Sequence, residues 1–162
     1  MGGPQMIVAR VVAILVIGLL LSAQSAPQLD LETDFSKSVL IISANENACY
    51  RFDVYLALSR AQQMQGLMFV RGMPETTGML FAYSQARHLS MWMKNTYISL
   101  DILFIRADGT VSSIAKNTEP HSLESVGAIE PLNFVLELNA GVTEKLSIEP
   151  GSTLYFQASD QE

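Results

Sequence analysis

Residues 88–105 read HLSMWMKNTYISLDILFI, and how this stretch is divided decides the fold. Leu89, Met91 and Met93 alternate with Ser90, Trp92 and Lys94, which is the period of a strand. LDILFI, residues 100–105, is a second apolar run of strand length. The polar Lys94-Asn95-Thr96 lies between them, so the chain is expected to bend there. In the second run Asp101 shares a face with Leu103 and Ile105. A carboxylate among apolar neighbours is costly unless it is paired or hydrogen-bonded. Lys94 is the nearest preceding cation, and a Lys94–Asp101 pair beside the single Trp92 would make a compact polar nook. Two readings of that nook stand together. It holds the bend and neutralises a charge, or it is a recognition site with Trp92 as a flat wall and Lys94 for a carboxylate or phosphate.

The same reading extends outward. SVLIIS, residues 38–43, is a short apolar run. In ENACYRFDVYLALS, Tyr50, Phe52, Val54, Leu56 and Leu58 share one parity and predict a half-buried strand. Ser59 opens SRAQQMQG, an N-cap followed by helix formers and a closing Gly66, so one or two helical turns are expected, with Leu67, Met68 and Phe69 tucked beneath. VRGMPETTG is a loop, and MLFAYS is a short strand. Asp108-Gly109 between apolar runs predicts a hairpin with a type I′ turn. TEPHSLESVGAIEPL is a second long loop. In NFVLELNAG, Phe134, Leu136 and Leu138 alternate with Val135 and Glu137. GVTEKLSI suits a helical turn, and PGSTLYFQ a final strand. The expected fold is α+β but mainly β. It is a compact single-domain β-barrel or curved sandwich of about eight short strands with one or two short helices.

The 162 residues allow one domain, placed at residues 38–158. Arg10 precedes the apolar VVAILVIGLLL and the small residues of SAQSA. This is the order of a secretory signal, and the run is shorter than the roughly 20 residues of a membrane span. Residues 1–25 are therefore expected to be a signal peptide cut before Ala26, the alternative being an uncleaved anchor. Residues 26–37, APQLDLETDFSK, are expected to be a flexible linker. The predicted location is periplasmic or secreted, with no membrane span after cleavage.

The chain carries 10 basic and 16 acidic residues; without Arg10 the balance is 9 to 16, a charge of −7. That offers no basic patch for nucleic acid. Cys49 is the only cysteine, so no internal disulfide can form, and it is expected to be a small buried hydrophobe. His88 and His121 stand far apart in sequence. HExxH, CxxC, P-loop, dinucleotide and GxSxG motifs are absent, so no metal or cofactor is expected.

Gly66-Leu67-Met68, Gly78-Met79-Leu80-Phe81, Trp92-Met93-Lys94-Asn95-Thr96, Leu100-Asp101 with Phe104, and Leu136-Glu137-Leu138 with Ala140-Gly141 recur in one order. Over residues 39–156 the chain resembles the family of domain of unknown function 192, small exported bacterial and archaeal proteins. Met91, Ala82 and the insertion of Val70 before Arg71 depart from its pattern. The resemblance implies a compact β-rich domain outside the cytoplasm and supplies no reaction, substrate or cofactor. It places Trp92, Lys94, Asn95, Thr96 and Asp101 at hallmark positions. Gly66 and Gly78 fit sites of positive φ or close approach. Met68, Met79 and Met93 fill the core on one reading and bind Cu(I) on another.

The candidate binding residues are thus Trp92, Lys94, Asn95, Thr96, Asp101 and Arg71. The expected function is a non-enzymatic ligand-binding or interaction module, its partner an unknown small molecule or envelope component. The alternatives are a cell-envelope hydrolase or transferase with Asp101 as acid/base, and a structural envelope factor acting through an apolar patch.

Overall fold

The computed structural model describes residues 30–156. The signal sequence expected at residues 1–25 lies outside them, as do residues 26–29 of the expected linker. Three short helices and nine strands follow: α1 (Leu31–Asp34), β1 (Ser36–Asn45), β2 (Ala48–Ala57), α2 (Arg60–Gln65), β3 (Thr77–Arg87), β4 (Ser90–Met91), β5 (Leu100–Ile105), β6 (Val111–Ala115), β7 (Val126–Gly127), β8 (Leu132–Asn139), α3 (Val142–Lys145) and β9 (Thr153–Phe156). Seven strands form one curled sheet in the order β6-β5-β8-β3-β2-β1-β9, and β4 pairs with β7 in a small second sheet. The mainly β half-barrel agrees with the sequence reading.

All strand pairs are antiparallel except β2 with β3. A parallel pair needs a crossover, and α2 with the loop of residues 66–76 supplies it. The curl brings the two ends of the sheet together. Thr110 bridges Thr153 across the ends, and the Leu154 amide donates to the Gly109 carbonyl at 2.8 Å. The β5–β6 turn differs from the type I′ expectation. Among its residues only Gly109 has positive φ, at 86°, and the Gly109 amide donates back to the Arg106 carbonyl at 3.0 Å. A turn of that form fits the register shift between Phe104 and Ile105, where β6 carries one extra residue, Ser112.

Both faces of the sheet are covered. On the first face Tyr55, Ala57, Met79, Phe81, Ile102, Phe104 and Val135 pack with Leu67, Leu89 and Met93. On the second, Phe52, Val54, Leu80, Leu103, Ile105, Leu136 and Leu138 pack with Leu40, Val111, Val142 and Leu154. Because Val111 and Leu154 come from opposite edges of the sheet, the second face is the concave one. β2 is consequently not half-buried as its parity suggested: Tyr55 and Ala57 are buried as well as Phe52 and Val54.

Three local expectations need correction. Residues 30–37 are not a loose lead-in. Asp30 caps α1, Phe35 is buried, and the Tyr55 hydroxyl donates to Glu32 at 2.7 Å, which fastens this segment to the sheet. Cys49 is exposed rather than buried, because it sits near the β1–β2 turn, where the hairpin projects beyond the core that begins at Phe52. Phe69 does not tuck under α2; it is exposed and has φ of 67°.

Candidate functional site

The nook proposed from the sequence does not form. Asp101 is fully buried on the concave face. Its Oδ2 accepts from the Thr143 amide at 3.0 Å and the Thr143 hydroxyl at 2.7 Å, and its Oδ1 accepts from the Asn117 amide at 2.9 Å. The N-cap of α3 is Gly141, which has no side chain to offer, so Asp101 satisfies an amide in the first turn from a distant strand. Lys94 is exposed, and its Nζ lies 5.1 Å from the centre of the Trp92 ring. The carboxylate of Asp101 is therefore paid off by hydrogen bonds to Thr143 and Asn117 and not by a lysine.

What the expected residues do build is one wall of a cleft of about 620 Å³ on the other face. Trp92, Lys94 and Thr96 line it, while Arg71 and Asp101 do not. Asn95 takes φ of 57° at the bend, accepts the Phe69 amide at 2.8 Å on its carbonyl, and reaches Met68 Sδ with its side chain at 3.9 Å. It shapes the loop beside the cleft. Thr96 is buried and holds the same turn through its amide on the Met93 carbonyl. Arg71 lies elsewhere, its guanidinium 5.0 Å from the Tyr97 ring centre.

The opposite wall is α2 and the glycine after it. Ser59 is the N-cap that the sequence suggested, it forms a reciprocal capping box with Gln62, and Gly66 ends the helix with φ of 48°. Arg60, Met64 and Met68 from this region face the cleft, and Tyr83 and Arg87 enter from β3. Arg87 stacks over Tyr83, 4.2 Å from ring centre to guanidinium. Burial pushes the Tyr83 phenol up, and Arg87 partly offsets this. Ser90 and Ser125 hydrogen-bond to one another on the cleft's rim.

Glu137 lies at the floor. It stands across from Met79 on β3 and Ile102 on β5, within the apolar first face, and is only 5 % exposed. Burial pushes its carboxyl up to about 8, and no hydrogen bond to it is made among the described residues. At neutral pH the group is mostly the uncharged acid, a hydrogen-bond donor as well as an acceptor. It was visible in the sequence only as the lone acid between Leu136 and Leu138. Gly78 lets β3 approach the main chain of β8 here: a Cβ there would lie 2.7 Å from the Glu137 backbone carbonyl oxygen.

Among the described residues no three His, Cys, Asp or Glu side chains are grouped to hold an ion. Met79 and Met93 are buried in the first core, whereas Met68 lines the cleft, so the three methionines of the family pattern divide between two roles.

Fold and site together define a small curled β-domain with a one-sided cleft over a buried acid. The chain belongs to the DUF192 family, described as "Uncharacterized ACR", whose profile matches residues 41–156. It is similar in structure to a protein of Sinorhizobium meliloti 1021 described as a candidate transcription regulator, with TM-score 0.74 and 40 % identity over 75 % of this chain and 95 % of that one. It is also similar to a protein of unknown function from Novosphingobium aromaticivorans DSM 12444, with TM-score 0.74 and 30 % identity over 82 % of this chain and 94 % of the other. No curated protein matches the sequence.

Proposed function

We propose that this chain is an exported, non-enzymatic binding module that takes a small molecule or a fragment of an envelope component into the cleft above Glu137. The observation that carries the reading is a nearly buried carboxyl, raised by burial to about 8 and without a hydrogen bond among the described residues, in the lining of a 620 Å³ cleft. Burial makes this carboxyl costly to ionise, and a ligand that hydrogen-bonds to it offsets part of its lost hydration. The volume lies in the range of small-molecule sites. Trp92, 44 % exposed, offers a flat apolar wall. The periplasmic or secreted location rests on the signal-like order of residues 1–25. A net charge of −6 disfavours nucleic acid as the partner, despite the description carried by the Sinorhizobium protein.

One observation favours a second reading. A carboxyl held as the acid near neutral pH is what a general acid requires. A cell-envelope hydrolase or transferase would therefore use Glu137, not the enclosed Asp101.

A thermal-shift screen of cell-wall fragments, sugars, nucleotides and metals tests the binding reading. A ligand of the cleft raises the melting temperature of the parent chain and of Arg71→Ala, and loses most of its effect on Trp92→Ala. Shifts that persist undiminished in Trp92→Ala contradict it.

A further inference from the structure

The structure assigns the cleft to a small organic anion with an apolar body, its charged end on Arg60, Arg87 and Lys94 and its body against Trp92, Met64, Met68 and Met91. This inference rests on the cleft being a binding site and adds the class of ligand.

The argument begins with the distribution of cations. The described residues contain nine Lys and Arg side chains. Lys37, Arg51, Arg106 and Lys145 are ion-paired, with Glu32, Asp53, Glu130 and Glu75. Arg60, Arg87 and Lys94 are in no ion pair among the described residues, and all three line the cleft. Lys94 and Arg87 are held over the faces of Trp92 and Tyr83 instead, which positions each cation while leaving its charge unneutralised.

The chain as a whole carries −6, yet the cleft lining contains three cations and one acid. That acid is Glu137, and in its uncharged form it does not repel an anion. Its O–H can instead donate to a carbonyl, hydroxyl or oxyanion oxygen of the ligand. The cations lie on exposed positions around the mouth, and the acid lies beneath. A ligand with its charge at one end and an acceptor toward the other meets both sets. Arginine forks suit carboxylate and phosphate oxygens. The indole and thioether lining suits an apolar body, with methionine adapting to its shape.

Two fluorescent probes separate the terms. 1-Anilinonaphthalene-8-sulfonate and N-phenyl-1-naphthylamine share a ring system and differ by the sulfonate. The full chain is expected to bind the sulfonate at least about tenfold more tightly at low salt, the ratio that about 1.4 kcal/mol provides. The preference should shrink toward unity in the triple variant Arg60→Gln, Arg87→Gln, Lys94→Gln, whose changes are all at exposed positions. Equal affinity for both probes, or a preference that survives the triple substitution, overturns the anion assignment. If Trp92→Ala then still weakens both probes, the cleft stands as a binding site; if it weakens neither, that reading falls too.

Discussion

Asp101 and Glu137 stand one register step apart on neighbouring strands and serve opposite faces of a single sheet. Asp101 is across from Leu138, and Glu137 is across from Ile102. One carboxyl is saturated by the Thr143 and Asn117 donors, and the other is raised by burial. The first is a structural tie between β5, the β6–β7 loop and α3. The second is the polar floor of the cleft.

The tie predicts an asymmetry between two residues that the sequence had paired. Asp101→Ala leaves three donors without their acceptor, two of them on Thr143, and should cost about 3 kcal/mol or more. Lys94→Ala removes an exposed side chain that has no ion pair among the described residues and should change stability by less than about 0.5 kcal/mol. Urea unfolding of both variants checks the contrast. Equal losses would restore the lysine–aspartate pair.

The floor predicts a pH dependence with a definite sign. The folded carboxyl at about 8 lies above its ordinary value of 4.5, so between those pH values the folded state keeps a proton that the unfolded chain releases. This contribution to stability is fully present below about pH 4.5, declines as pH rises, and is gone above about pH 8. Glu137→Gln has no such slope. It should match the parent near pH 4 and exceed it at pH 9 by an amount on the order of a few kcal/mol. Melting curves across that range are the check, and parallel profiles would contradict the burial of an ionisable group.

Gly78 predicts a packing penalty next to the same residue. A Cβ would meet the Glu137 carbonyl oxygen at 2.7 Å and Leu138 Cδ2 at 2.8 Å. The first contact is backbone and cannot rotate away. Gly78→Ala should therefore cost about 1–3 kcal/mol, read by chemical denaturation, whereas an unchanged midpoint would mean that β3 and β8 can move apart.

Much of this architecture could be read from periodicity and turn chemistry. Leu89, Met91 and Met93 alternate in burial with Ser90, Trp92 and Lys94 as expected, although only Ser90 and Met91 pair as strand. Ser59 with the closing Gly66 announced α2, and close approach at Gly78 was anticipated. The sites of error share a cause. The partners of Asp101 are mainly backbone amides 16 and 42 residues away, and an amide donor leaves no mark on residue identity. Lys94 offered a sequence-local cation, and the local choice was wrong. Glu137 was missed because period two in β8 sorts residues to two faces without saying that both are covered. Arg60 and Arg87 come from α2 and the end of β3, and only the parallel crossover brings them to one cleft.

The most direct test of the account is a carbon-13 NMR titration of the Glu137 side-chain carboxyl in the folded chain, assigned by its loss in Glu137→Gln. The account predicts that this carboxyl holds its proton at neutral pH and titrates near pH 8. Titration near the ordinary 4.5 would show a solvated or paired carboxylate, and the cleft would lose the uncharged floor on which its proposed role depends.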